Sequence, residues 1–257
     1  MNLLFREIYD NRELIWALAV KDLQVRYKRS ALGFLWALLN PLLMMLILTM
    51  VFSKLLPAQE HYSIFLMSGL LPWTFFSQAL SYSADSIVTN GDLLKKVYVT
   101  KSVFPVAATL SNVINFVLSM IPLVFLLLVM RFPFHGTWLY IFVPFLSLLL
   151  LSLGFGFFFA MANVFFRDVA HILQVILQAW YFLTPVMYPI EIIPQQYRRL
   201  MQLNPMLYPV NGFRLAIYYG LLPSPQSMAA SLVGGALACY VGYRVFRKYQ
   251  DTLVFYV

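Results

Sequence analysis

The sequence predicts an all-α integral membrane protein with six transmembrane helices, an N-terminal helix on the membrane surface, and short re-entrant helices between spans five and six. Of its 257 residues, 61% are hydrophobic and 11% are charged, whereas soluble domains carry about 25% charged residues. So few charges cannot cover a soluble surface, but a lipid-facing surface needs no polar cover. The net charge is +8. Because the charges fall in short blocks between long apolar runs, we interpret them as signals of membrane topology. We expect no nucleic-acid partner.

The N-terminal segment predicts an amphipathic helix over residues 2–20. At helical spacing its apolar side chains share one face: Leu4, Ile8, Ile15, Leu18 and Ala19. Such a helix can lie in the lipid–water interface; the alternative is a cytoplasmic helix that packs on the rest of the protein. The segment lacks the compact apolar core of a cleavable signal peptide. We therefore expect the chain to start in the cytoplasm.

Six apolar runs follow, and each is a predicted transmembrane helix. They cover residues 31–52, 64–88, 103–130, 139–166, 172–188 and 228–246. Crossing about 30 Å of hydrocarbon takes about 20 helical residues. Five runs meet this length, and the fifth run in the chain is slightly short.

The basic residues between these runs predict the orientation. With the N-terminus inside, 13 of the 18 lysines and arginines lie on the cytoplasmic side. They are Arg6, Arg12, Lys21, Arg26, Lys28, Arg29, Lys95, Lys96, Lys101, Arg167, Arg244, Arg247 and Lys248. Because cytoplasmic loops are enriched in lysine and arginine, we expect both termini in the cytoplasm and a multi-pass protein of the bacterial cytoplasmic membrane.

The outer segment, residues 191–225, is rich in proline and is not a simple polar loop. Two short helices are predicted in it, over residues 195–203 and 210–219, and both are too short to span a membrane. A hairpin that dips into the outer face of the membrane fits this pattern, since irregular backbone at that depth must be covered by protein or line a cavity. The segment is therefore a candidate for the outer end of a translocation path; the alternative is a surface lid.

Small residues recur one turn apart in the fourth and sixth spans. They are Ser152, Gly156 and Ala160 in one, and Gly234, Ala238 and Gly242 in the other. This spacing lets helix backbones approach closely in lipid. The contact could form within the chain or between two copies.

Several kinds of chemistry are missing from the sequence. No glycine is followed by lysine, so the phosphate-binding loop of ATPases is absent. Cys239 is the single cysteine and the three histidines are scattered, so we expect no metal or cofactor on this chain. No glutamate lies in a span, and Asp85 lies near the inner end of one. Ion-coupled carriers hold ionisable groups at mid-membrane, so the energy for any transport must come from outside the chain.

The cytoplasmic loop between spans two and three predicts a short helix. Asn90 or Thr89 can cap it, and Asp92 suits its positive N-terminal end. Its apolar side chains are Leu93, Leu94, Val97 and Tyr98, next to Lys95 and Lys96. These apolar groups could form a docking surface for a partner, or the helix could be tucked against the inner face of the protein.

Several stretches resemble the permease subunits of ABC-2 type exporters, in the polysaccharide branch that serves O-antigen, capsule and teichoic acid, with the O-antigen permeases most alike. The stretches are RYKRSALGFLW at 26–36 followed by Asn40-Pro41, GLLPW at 69–73, residues 90–101 with Phe104-Pro105, FRDV at 166–169, TPVMY at 184–188 and LNPM at 203–206. They are spread over most of the chain. One difference is Thr100, which stands before Lys101 where members of this family often have proline.

The resemblance implies one transmembrane domain over residues 1–257, divided into an N-terminal part (1–30), spans one to five (31–190), the outer segment (191–225) and span six with a tail (226–257). Two copies of the chain would pair with two copies of a separate ATPase, which binds ATP and Mg. The chain itself would be a transport subunit and not an enzyme. It would move a glycan linked to a polyprenyl diphosphate lipid from the cytoplasmic to the outer face.

The resemblance and the residue types together predict three sets of functional residues. The ATPase-coupling loop is Asp92, Leu93, Leu94, Lys95, Lys96, Val97 and Tyr98. The inner entrance is Arg26, Lys28 and Arg29, which could attract the lipid diphosphate or only set the topology. Aromatic rings that could line a sugar path or gate are Trp36, Trp180, Tyr181, Tyr188 and Tyr218, because such rings stack on sugar faces; the alternative is packing or an interface belt.

Three other functions remain open from the sequence. One is an ABC-2 permease for a drug or a small lipid. Another is a membrane enzyme of glycan assembly, although its ten scattered acidic residues are poor material for a metal or acid–base site. The last is a structural membrane adaptor without transport activity.

Overall fold

The computed structural model describes residues 2–28, 30, 32–55, 59–96 and 99–256 of the chain. All regular structure in these residues is helical. This agrees with the all-α prediction.

The N-terminal segment forms two helices where one was predicted. α1 covers Asn2–Asp10 and α2 covers Arg12–Tyr27, with a break at Asn11, whose side chain donates to the Glu7 carbonyl at 2.8 Å. The apolar side chains predicted to face lipid are covered by the chain itself: Leu4, Ile15, Leu18 and Ala19 are buried, and α2 lies along helix α6 (Val103–Val129). The face that was expected to enter the membrane thus packs on protein. This agrees with the alternative, a helix that packs on the rest of the chain. Other apolar side chains, including Phe5 and Trp16, stay exposed.

Among the described residues, five helical segments are long and apolar enough to cross a membrane. They are α3 (Trp36–Phe52, preceded by a 3-10 turn Gly33–Leu35), α4 (Tyr62–Thr89), α6, α7 (Phe142–Phe165, preceded by a 3-10 turn Gly136–Ile141) and α11 (Pro225–Tyr249). Between α4 and α6 lies the short α5 (Gly91–Lys96).

The fifth predicted span is shorter in the structure than in the prediction. α8 covers Val169–Leu183, 15 residues, or about 22 Å of helix, so it does not cross about 30 Å of hydrocarbon by itself. It ends where Thr184 takes up an extended conformation before Pro185, because a residue before proline is disfavoured in the helical region. Residues 184–187 are buried within the protein, which explains why the apolar run in the sequence continues beyond the helix.

The two ends of the bundle carry different elements. At one end, α1, α2, α5 and the C-terminal tail share an apolar cluster that includes Leu18, Leu94, Phe246 and Leu253. At the other end lie the start of α4 and two short helices, α9 (Gln195–Met201) and α10 (Leu207–Arg214). The N- and C-terminal segments therefore lie at the same end. The sequence predicts that this end is cytoplasmic, so we call it the inner end and the opposite end the outer end.

α7 and α11 pack closely through small residues. A Cβ added to Gly242 would lie 2.0 Å from the Gly154 carbonyl oxygen, and one added to Gly154 would lie 2.3 Å from Ala238. Nearer the outer end, the Ser147 hydroxyl donates to the Ser231 carbonyl at 2.6 Å. The close contact thus lies within the chain and uses the predicted Ala238 and Gly242, but on α7 it is made by Gly154, whereas the predicted Gly156 faces Ser83 of α4.

Candidate translocation groove and coupling segment

A large groove opens between α2, α3, α4, α6 and α8, with a volume of about 1020 Å³. Six carboxamide side chains line it: Asn40, Gln78, Asn112, Asn115, Gln174 and Gln178. Arg26 is the one charged residue among the described residues of its lining, and no carboxylate is among them. Polar groups at membrane depth are costly and mark functional paths. An amide offers both donors and acceptors without charge, so this lining suits a hydroxyl-rich molecule better than an ion.

Helical spacing gathers the amides on the groove side of their helices. Asn112, Asn115 and Ser119 occur three and four residues apart on α6, and Gln174 and Gln178 are one turn apart on α8. The side chains of residues three and four apart share a helix face. These residues were not among those predicted from the sequence. The signal that would have revealed them is amides at helical spacing in otherwise apolar runs.

The inner mouth of the groove is formed by the end of α2. The Arg26 guanidinium lies 3.7 Å from the centre of the Tyr82 ring and donates to Asn112 Oδ1 at 3.4 Å. The next residue, Tyr27, donates its hydroxyl to Asn115 Oδ1 at 3.1 Å. Burial raises the pKa of Asp22, one turn earlier on α2, against the opposing charges of Lys21 and Arg26.

The three residues predicted for the inner entrance have different places. Arg26 lines the groove. Lys28 is exposed beyond the end of α2 and is not part of the lining. Arg29 lies outside the described residues.

The five predicted aromatic rings separate into two groups. Trp36 and Tyr181 line the groove. Trp180 donates its indole N–H to Asn204 Oδ1 at 2.8 Å and packs against Trp73, Phe76 and Phe155. The hydroxyls of Tyr188 and Tyr218 donate to the carbonyls of Phe182 and Glu60. These last three rings tie the outer end together and are not among the groove residues.

Residues 90–102, which we call the coupling segment because they contain the predicted coupling loop 92–98, do not present the apolar docking surface that the sequence left open. Leu94 is buried in the inner apolar cluster, and Leu93 is half-buried against it. Asp92, Lys95 and Lys96 are exposed. Val97 and Tyr98 lie outside the described residues. The leucines of α5 therefore anchor the helix to the chain, and its accessible face is charged.

Polar contacts hold both ends of the coupling segment. Lys21 donates to Asn90 Oδ1 at 3.1 Å, and the Ser102 hydroxyl donates to Glu7 Oε2 at 2.7 Å. Lys101 lies 3.8 Å from Asp251 of the C-terminal tail. The N-terminal helices and the tail thus hold the segment.

The outer segment contains the two predicted short helices with shifted bounds. α10 continues as a π-helical turn, Leu215–Tyr219, and ends at Gly220, which has a φ of 64°. Arg214 is 3% exposed and donates to the carbonyls of Pro185 and Val186, each at 2.7 Å. Its guanidinium lies 3.9 Å from the centre of the Phe65 ring.

Arg214 needs the space that Gly69 leaves on α4. A Cβ on Gly69 would lie 2.7 Å from its Nη2. No ion pair to Arg214 exists among the described residues, so the two carbonyls and the ring stabilise the buried charge. Arg214 thereby joins α10 to α4 and to the segment that follows α8.

The five long apolar helices and the amide-lined groove fit a membrane transport subunit. The sequence model of the family described as ABC-2 type transporter matches residues 13–218. The chain belongs to the ABC-2 type transporter family.

Several relatives of the chain are named for O-antigen export or polysialic acid transport. The chain is 33% identical over 253 residues to the O-antigen export system permease protein RfbA of Myxococcus xanthus, with 96% of each chain covered. It is 26% identical to RfbA of Klebsiella pneumoniae, with 92% of each covered. To the polysialic acid transport protein KpsM of Escherichia coli it is 25% identical, with 93% of this chain and 94% of the relative covered.

Proposed function

We propose that this chain is the permease subunit of an ATP-driven exporter that moves a lipid-linked polysaccharide, such as O-antigen, across the bacterial cytoplasmic membrane. The observation that carries the proposal is the groove, whose six carboxamides and exposed Trp36 ring offer hydrogen bonds and a stacking surface to sugars. The names of the relatives support the same substrate class.

The proposed path runs from the inner mouth to the outer segment. Arg26 receives the diphosphate of the carrier lipid, since a guanidinium matches phosphate oxygens in pairs, and Lys28 and Arg29 attract it to the inner face. The glycan then follows the amides of α6 and α8. A second copy of the chain closes the open side of the groove, and Trp180, Tyr188 and Tyr218 shape the outer gate.

The proposed topology has six crossings with both termini in the cytoplasm. α8 together with the buried residues 184–187 completes the fifth crossing. α9 and α10 then form a re-entrant pair in the outer half of the membrane, where Arg214 satisfies the carbonyls of Pro185 and Val186. α1 and α2 lie at the inner interface with Phe5 and Trp16 toward lipid.

The energy comes from two copies of a separate ATPase that bind ATP and Mg. The exposed charges of α5, namely Asp92, Lys95 and Lys96, face this partner. Leu93 and Leu94 hold α5 to the permease, so movement of the ATPase is passed on to the bundle.

The test is deletion of the gene followed by complementation in the source cells. The deletion is expected to remove the glycan from the cell surface and to accumulate lipid-linked glycan inside. Wild-type chain restores export, and Gln178→Leu restores it about three- to ten-fold less well, as loss of one or two hydrogen bonds predicts. Gln226→Leu, an exposed amide outside the groove, is the matched control.

Two results would redirect the proposal. Full surface glycan in the deletion strain would exclude a role in polysaccharide export. If the same strain instead lost tolerance to a drug, the substrate would be a small molecule.

A further inference from the structure

One stretch of α2 touches both the coupling segment and the groove. Lys21 Nζ donates to Asn90 Oδ1 at 3.1 Å, at the turn between α4 and α5. Slightly more than one helical turn later, Arg26 contacts Asn112 and Tyr82, and Tyr27 donates to Asn115 in the groove wall. The two functional regions are therefore joined by seven consecutive residues of a single helix, 21–27.

This stretch continues a helix that is packed along its length. Ile15, Leu18 and Ala19, earlier on α2, are buried, and α2 lies against α6. A helix with an anchored face moves as one body, because packed interiors transmit displacement. Displacement of one end of residues 21–27 therefore moves the other end.

The side chain of Asn90, which accepts the hydrogen bond from Lys21, is itself held in place. Asn90 is 8% exposed, and its amide nitrogen donates to the Ser86 carbonyl at 2.8 Å. That bond turns Asn90 Oδ1 toward Lys21. A lysine that only sets membrane orientation needs no partner in the protein, whereas this one reaches a held amide 69 positions away in the chain.

We propose that Lys21 and Asn90 are positioning residues for export. Their contact couples the position of the groove mouth to the position of the ATPase-facing helix α5. This rests on the proposed function, since it takes α5 as the element that the ATPase moves. The motion passes from α5 through Asn90 and Lys21 to α2, and so to Arg26 and Tyr27. Neither Lys21 nor Asn90 touches the glycan.

The test uses the permease–ATPase complex in proteoliposomes, with lipid-linked glycan extracted from the deletion strain as substrate. Lys21→Met removes the cation and the donor but keeps an apolar stem. We expect assembly and basal ATP hydrolysis to be retained, and the amount of glycan moved per ATP to fall about ten-fold, as for loss of one hydrogen bond to a charged group. A role limited to stability would lower transport and hydrolysis together and leave this ratio unchanged.

Two further variants control for charge and chemistry. Lys248→Met makes the same charge change at the same end of the bundle, on an exposed residue near the end of α11, and is expected to keep the wild-type ratio. Lys21→Arg keeps a cationic donor and is expected to retain most of the coupling.

A double-mutant cycle tests whether the two residues act through one another. Asn90→Ala alone is expected to lower the ratio, and Lys21→Met in that background is expected to add no further loss. If Lys21→Met does not accumulate, Asn90→Ala carries the test, and its ratio must fall.

Two results would overturn the positioning role: a wild-type ratio in Lys21→Met, or losses that multiply in the double variant. Either would leave the proposed function intact. Recovery of the wild-type chain without any ATPase would instead contradict the proposed function itself.

Discussion

At the residue scale, Tyr181 is the groove side chain whose hydroxyl has the most informative surroundings. It lines the groove, and its hydroxyl is buried without a hydrogen-bond partner among the described residues. A buried hydroxyl in this state loses its hydrogen bonds to water and gains nothing in return. Because Tyr181 lines the groove, we predict that a bound substrate supplies the missing partner.

For Tyr181 we predict a loss of transport without a loss of stability. Tyr181→Phe removes an unsatisfied hydroxyl, so the melting temperature of the purified chain should stay equal or rise slightly. Export should fall about three-fold or more if the hydroxyl binds a sugar.

Trp180→Phe, on the neighbouring ring, serves as the contrast. It removes the hydrogen bond to Asn204 and should lower stability by about 1–3 kcal/mol. Thermal melting and surface glycan, measured on both variants, check the pair. Unchanged export in Tyr181→Phe would mean that the hydroxyl does not contact the substrate.

At the scale of the element, α5 has two different faces. One face packs on the chain, and the other is exposed and is proposed to bind the ATPase. Because Leu94 is buried, a charge at this position would disturb the fold before it could report on a partner. The exposed lysines are the better probes.

We predict that Lys95→Glu combined with Lys96→Glu abolishes capture of the ATPase, while the amount of chain in the membrane stays normal. Reversal of two charges makes contact with a complementary surface repulsive. Arg247→Glu with Lys248→Glu, at the same end of the bundle, is the control. Co-purification in mild detergent measures the effect. If both double variants capture the same amount of ATPase, α5 is not part of the permease–ATPase interface. Leu94→Asp should instead reduce membrane accumulation.

The pairing of α7 with α11 gives a second prediction at this scale. Gly242→Ala places a methyl group about 2.0 Å from the Gly154 carbonyl and should destabilise the chain by about 1–3 kcal/mol through overpacking. Gly234→Ala, on the same helix, meets nothing within 4 Å and should be neutral or stabilising by up to about 1 kcal/mol. Thermal melting in detergent distinguishes them. Equal effects would mean that α7 and α11 are not in close contact.

At the scale of the whole molecule, the end of the bundle that holds both termini also holds α5 and most basic residues. Because the proposed topology places both termini in the cytoplasm, we predict that green fluorescent protein fused to either terminus is fluorescent and that alkaline phosphatase fused to the C-terminus is inactive. Phosphatase inserted after Gln196 should be active. Activity at the C-terminus would reverse the proposed orientation.

The long helices could be predicted from the sequence, since a long apolar run has few alternatives in a membrane. The end of α8 could not, because hydropathy does not distinguish a helix from the buried, non-helical residues 184–187. The burial of Leu94 depends on neighbours from α2 and the tail, which are far away in the sequence. The groove was missed for the same reason. Its amides come from four helices, and only their tertiary packing places Asn40 and Gln178 in one cavity.

The buried guanidinium of Arg214 has a consequence for biosynthesis. Phe65 and Gly69 are inserted into the membrane long before residue 214 leaves the ribosome, since the chain emerges from its N-terminus. Until then the site on α4 is empty, and the carbonyls of Pro185 and Val186 lack their donor. The last fifth of the polypeptide is therefore needed to join α10 to α4. The outer end of a newly made chain takes its final form only when its synthesis is nearly complete.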